Sequence, residues 1–149
     1  WDLADQNERA ELQTFIKELN HLYTTQPALY EWDYIPEGFE WINCTSAQDN
    51  VLVFARCSKK QEETLIFVCN FASVSHEAFQ LGVPFAGDYM EILNSDAAEF
   101  GGNGRINGQV ITSCQTQKDH RGDSITIRLA PMSVCILKRI YEKKKCLKK

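Results

Sequence analysis

Six cysteines and three histidines are the side chains of this 149-residue chain best suited to nucleophilic or metal chemistry. A catalytic nucleophile needs a base within hydrogen-bond reach and a third group that orients the base. A zinc site needs ligands paired at short spacing. Neither pattern occurs: there is no CxxC pair, and His21, His76 and His120 are scattered, with no ligand spacing to the thiols. Cys57, Cys69 and Cys135 sit inside apolar runs, where a free thiol behaves as a small hydrophobe. Glycoside chemistry needs two carboxylates held roughly 5–10 Å apart in a cleft. Asp96 with Glu99, and Glu37 with Glu40, are the candidate pairs, and each reads as a turn or a solvated face. Gly101-Gly102-Asn103-Gly104 lacks the Lys-Ser/Thr of a phosphate-binding loop and no helical pattern follows it, so it reads as an inter-strand turn. Arg121-Gly122-Asp123 reads as a turn as well. Residue types and spacing thus assign no catalytic residue, no metal and no cofactor.

The aromatic residues carry more information. Trp1, Trp32 and Trp41 lie in the first third of the chain, with Tyr30, Tyr34 and Phe39 close by. A flat aromatic face stacks on the apolar face of a sugar ring and leaves the hydroxyls to hydrogen-bond at the edges. The competing reading of Trp41 and Phe39 is that they fill a gap between a sheet and a helix. Trp32 has the same two readings.

These side chains must be held by a framework, and the periodicity describes it. Leu12, Phe15, Ile16, Leu19, Leu22 and Tyr23 fall on one face of a helix at about 3.6 residues per turn. Asp5 and Glu8 have the spacing of a capping box, and Pro27 ends the helix near Thr24 or Thr25. After Pro27 the period becomes two. Phe39 and Trp41 alternate with Glu40 and Ile42; Val51, Val53, Ala55 and Cys57 share one face, with Leu52, Phe54 and Arg56 on the other. Thr64 to Phe71 follows a short polar stretch, which predicts a β-hairpin. Further strands are expected at 89–93, around 110–113, at 124–129 and at 134–140. The fold class is mainly β, an antiparallel β-sandwich preceded by one amphipathic helix.

Composition sets the outer bounds. With 44% hydrophobic and 24% charged residues the chain is neither low-complexity nor disordered. No apolar run approaches the roughly 18 residues of a membrane span. Residues 1–137 carry 9 basic and 19 acidic side chains, whereas residues 138–149 carry 7 and 1. An acidic body argues against a nucleic-acid-binding domain, and the lack of a span-length apolar run against a membrane protein, so neither nucleic acid nor membrane is expected as a partner. The basic end, 142–149, is expected to be a disordered, solvated tail, the competing reading being a segment that touches RNA or anionic lipid. No signal peptide is visible at Trp1, and a chain starting at Trp reads as a fragment. Reduced thiols and a cytoplasmic location are expected. Asn43-Cys44-Thr45 fits a glycosylation sequon, which has meaning only after secretion.

Several blocks resemble the carboxy-terminal region of bacterial-type 1,4-α-glucan (glycogen) branching enzymes. They are Pro27-Ala28-Leu29-Tyr30-Glu31 with Pro36-Glu37-Gly38-Phe39-Glu40-Trp41-Ile42, then Val68-Cys69-Asn70-Phe71 leading to Gly82-Val83-Pro84. Tyr89-Met90-Glu91-Ile92-Leu93-Asn94-Ser95-Asp96 before the Gly101–Gly104 turn, and Ser124–Leu129 before Pro131, continue the series. Trp1-Asp2-Leu3-Ala4 resembles the end of a barrel loop. The pattern departs at Ala72-Ser73-Val74-Ser75, where the family often has Thr-Pro-Val-Pro, and at Gln80, where an Arg is expected. The basic tail is also longer than the family suggests.

The resemblance implies an enzyme of the α-amylase superfamily. It would cleave an α-1,4 bond through a glycosyl-carboxylate intermediate and transfer the chain to a 6-hydroxyl. Its catalytic carboxylates lie upstream, in a (β/α)8 barrel; no residue here matches them, so this chain alone is expected to be inactive. By the same resemblance, residues 1–33 are the helical end of the barrel and 34–141 an α-amylase-type carboxy-terminal β-domain. The implied partners are the missing barrel and α-glucan, with Trp41 and Trp1 as candidate glucan contacts. The alternative is a stand-alone carbohydrate-binding β-sandwich module.

Overall fold

Helix α1 (Asn7–Thr25) opens the computed structural model, which describes residues 7–45 and 48–141. It stops where the chain meets Gln26-Pro27: the proline ring disfavours a helical residue before it, and Gln26 is extended at φ −105° and ψ 107°. The Asp5 cap, Trp1 and the basic tail 142–149 lie outside the described residues.

Two turns of tight helix, Pro27–Leu29 and Pro36–Gly38, lead, among the described residues, into eight strands: β1 (Phe39–Asn43), β2 (Val51–Arg56), β3 (Leu65–Asn70), β4 (His76–Val83), β5 (Asp88–Asn94), β6 (Ile111–Thr112), β7 (Asp123–Leu129) and β8 (Ser133–Ile140). Six of them form one sheet in the order β1-β2-β3-β8-β5-β6, and β4 pairs with β7 in a second. The pairings are antiparallel.

Alternation decides which faces meet. Val51, Val53 and Ala55 of β2 are buried, while Leu52, Phe54 and Arg56 between them are half-buried. The inward set joins Ile66, Val68, Tyr89 and Leu137 of the large sheet to Phe79, Leu81, Val83, Ile125, Ile127 and Leu129 of the small one, making the main core. This is the expected antiparallel sandwich, with one addition: β4 is a strand that the sequence reading left out. Its register breaks between His76 and Phe79, so the period-two pattern runs only through Phe79, Leu81 and Val83.

α1 makes a third layer. Leu22, with Phe15 and Leu19 beside it, packs on Leu65, Leu93 and Ile136 on the outer face of the large sheet. Burying each such side chain stabilises the fold by about 1.5–3 kcal/mol. The sheet covers only part of the helix's apolar face. Leu12, Ile16 and Tyr23 remain 58%, 47% and 52% exposed.

Candidate functional site

β1 carries the first candidate, Trp41. A register shift between Trp41 and Asn43 makes Ile42 the extra residue of a bulge, which lets Ile42 and Asn43 both face inward. Trp41 and Phe39 face out. Across the sheet Trp41 stands opposite Phe54, Phe54 opposite Phe67, and Phe67 opposite Ile136. The rings of Phe54 and Phe67 stack at 4.9 Å and 4°. Phe39 stacks on Phe54 at 5.3 Å, and Trp41 meets Phe39 edge-on at 4.9 Å. α1 covers the Phe67 and Ile136 end of this row and leaves the other end open. Trp41 is 50% exposed and Phe39 39%, so neither fills a gap beneath the helix. An ion pair between Arg56 and Asp33 (2.7 Å) lies beside them, Arg56 standing opposite Phe39 in the sheet. The result is an open aromatic platform with a charged border. It can stack on a flat apolar surface, but holds no group poised for proton transfer.

Trp32 is half-buried and lines a cleft of about 280 Å³ with Glu37, Glu40, Thr64 and Phe85. Glu37 is exposed, and Glu40 is ion-paired with Arg121. This is not the buried acid pair that glycoside cleavage needs.

The other candidates resolve into structure. Asp96 is buried rather than solvated: its carboxylate accepts from the backbone N–H of Asn103 (3.1 Å) and Arg105 (3.0 Å), so the glycine turn winds around it. Gly102 is required there, because a Cβ would lie 2.3 Å from the Asp96 carbonyl. In the Arg121-Gly122-Asp123 segment, Arg121 closes a turn with Lys118 and Asp123 starts β7. Asn43 of the sequon is 7% exposed and donates to Asp119 at 2.9 Å. The histidines lie apart, on α1, on β4 and in the turn before β7. Among the described residues no group of three or more His, Cys, Asp or Glu side chains could hold a metal ion.

Cys57, Cys69 and Cys135 are unsuited to nucleophilic work. Burial pushes Cys57 up, and the Glu40 carboxylate adds to this. Burial alone raises Cys69. Cys135 stands well above the usual thiol range, through burial first and then the Glu91 carboxylate. Reactive cysteines need the opposite shift. The five described cysteines are unbridged.

Sequence reasoning missed one cluster. Glu91 accepts from the Asn107 side chain (2.8 Å), the Asn94 side chain (3.0 Å) and the Cys135 thiol (3.1 Å), pinning the 105–110 segment to the sheet. Its partners are 3 to 44 residues away in sequence, and no local pattern announces them.

Comparison with known proteins fits this geometry. The chain is 42% identical over 142 residues to the 1,4-alpha-glucan branching enzyme GlgB of Francisella tularensis subsp. mediasiatica (strain FSC147), covering 94% of this chain and 22% of that protein. It is 39% identical over 139 residues to the protein of the same name from Francisella philomiragia subsp. philomiragia, again 22% of the relative's length. The chain thus spans about a fifth of the curated relatives it matches. Residues 41–140 match the model described as the alpha amylase, C-terminal all-beta domain. By the sandwich and by this match, the chain belongs to the family of alpha-amylase C-terminal all-beta domains.

Proposed function

We propose that this chain is the non-catalytic carboxy-terminal part of a glycogen branching enzyme, an α-1,4 to α-1,6 glucan chain transferase. In this reading residues 1–33 end the catalytic barrel, residues 34–141 form the β-domain and 142–149 are a tail. The domain supports the barrel and holds glucan outside the cleft at Trp41, with Trp1 as a second contact. Neither nucleic acid nor membrane is a partner, consistent with the acidic body. Five unbridged thiols support a cytoplasmic location.

The observation that carries the supporting role is α1. Only part of its apolar face rests on the sheet, through Leu22, Phe15 and Leu19, and Leu12, Ile16 and Tyr23 stay open. Such a stripe fits a helix made to be buried on two sides. For glucan, the support is Trp41, half-exposed at the end of an aromatic row. The test is Trp41→Ala in the full-length protein: affinity for maltooligosaccharides is expected to fall with the fold intact, and an unchanged affinity removes the contact. Whether the gene encodes about 500 residues upstream, the size of a barrel and one more domain, separates this reading from a stand-alone module.

A further inference from the structure

We propose that the cleft beside Trp32 is a second carbohydrate subsite, one that takes a single glucosyl residue and lies on the opposite face of β1 from Trp41. Trp41 points outward from β1, and the next side chain, Glu40, points inward and lines the cleft. The cleft lies where the loop before β1 meets the ends of β2 and β4 and the start of β3. That the sugar is an α-glucan unit rests on the function proposed above; the location and chemistry of the cleft do not.

Three tethers hold Trp32 in place. Before it, the Glu31 carboxylate accepts from the Lys59 backbone N–H at 3.3 Å. After it, Asp33 pairs with Arg56 at 2.7 Å. Beneath it, Gly38 lets the backbone close in: a Cβ there would lie 2.0 Å from the Trp32 carbonyl oxygen. Gly38 is fixed in turn, its carbonyl accepting from the Cys57 N–H at 3.0 Å. A wall held this way loses little entropy on binding.

The chemistry matches a neutral polyol. Trp32 and Phe85 offer aromatic surface to the C–H groups of a ring, while Glu37, Glu40 and Gln61 offer polar groups to its hydroxyls. Hydrogen bonds to ionised acceptors are the stronger kind. An aromatic cleft with two carboxylates could also suit an organic cation. Here Lys59 also lines the cleft and Arg121 pairs with Glu40, which offsets that negative charge. The volume, about 280 Å³, lies just below the usual range for ligand sites and suits a single ring rather than a polymer segment. A larger groove of about 730 Å³ beside β7 is a poorer candidate. It has no aromatic wall, and its Asn107 and Arg128 are already bonded to Glu91 and Glu77.

The test is titration of the 149-residue chain with maltotriose, followed by the indole N–H signals of its tryptophans, assigned with Trp→Phe variants. The Trp32 signal is expected to shift saturably, to do so equally in Trp41→Ala, and to need several-fold more maltotriose in Glu37→Gln. Glu37 is exposed, so that variant keeps the fold. A Trp41 shift with a static Trp32 overturns the subsite and leaves the platform standing. A Trp32 shift with a static Trp41 does the reverse, and two static signals overturn both. A Trp32 shift with choline chloride at concentrations where maltotriose gives none overturns the sugar assignment.

Discussion

Leu12 and Leu22 belong to one apolar face of α1, yet Leu22 is 8% exposed against the sheet and Leu12 is 58% exposed. The difference arises because one side of that face rests on Leu65, Leu93 and Ile136 and the other has no cover among the described residues. Leu22→Ala is therefore expected to cost about 2–5 kcal/mol in the isolated chain. Leu12→Ala is expected to change it by less than about 0.5 kcal/mol. In the full-length protein Leu12→Ala becomes clearly destabilising if a barrel covers the stripe. Urea unfolding of both variants in both contexts measures this, and a Leu12→Ala effect that stays negligible in the longer protein removes the docking role.

Tyr89 makes the fold sensitive to alkali. Burial pushes its phenol up to about 12, and its hydroxyl donates to the Phe85 carbonyl at 2.6 Å. The folded state thus keeps a proton that the unfolded chain releases near 10. The stabilisation is fully present below pH 10 and is lost as pH rises toward 12. It amounts to roughly 2–3 kcal/mol. Tyr89→Phe is expected to flatten that part of the pH–stability curve. An equally steep fall in the variant would assign the loss to other groups.

Asp119 ties three elements together. Its carboxylate accepts from the Asn43 side chain and from the backbone N–H of Gly82, both at 2.9 Å. Asp119→Ala strands the Gly82 N–H, at a cost of about 1–3 kcal/mol. Asp119→Asn keeps an acceptor and tolerates the local φ of 49°, so it should cost less. Thermal unfolding of the two variants checks the order.

The framework was legible where residues alternate without interruption. Val51 to Arg56 and Ser124 to Leu129 announce half-buried strands, and both are there. β4 was hidden because its register shift spoils the pattern around Glu77 and Ala78, leaving Phe79, Leu81 and Val83 before Pro84 as the only signal. The fate of Trp41 was not legible. Alternation says that Phe39 and Trp41 share a face, but whether α1 reaches that face depends on where the helix lies across the sheet. The Glu91 cluster and the Trp32 cleft assemble from distant segments, and only the folded chain brings those residues together.

Incubation of the 149-residue chain with amylose, followed by iodine staining, tests the central claim most directly. Under the proposed function the domain holds and supports while the bond-breaking carboxylates lie elsewhere, so the blue colour is expected to persist and no new α-1,6 branch points to form. A loss of colour comparable to that produced by a full-length branching enzyme would contradict the account.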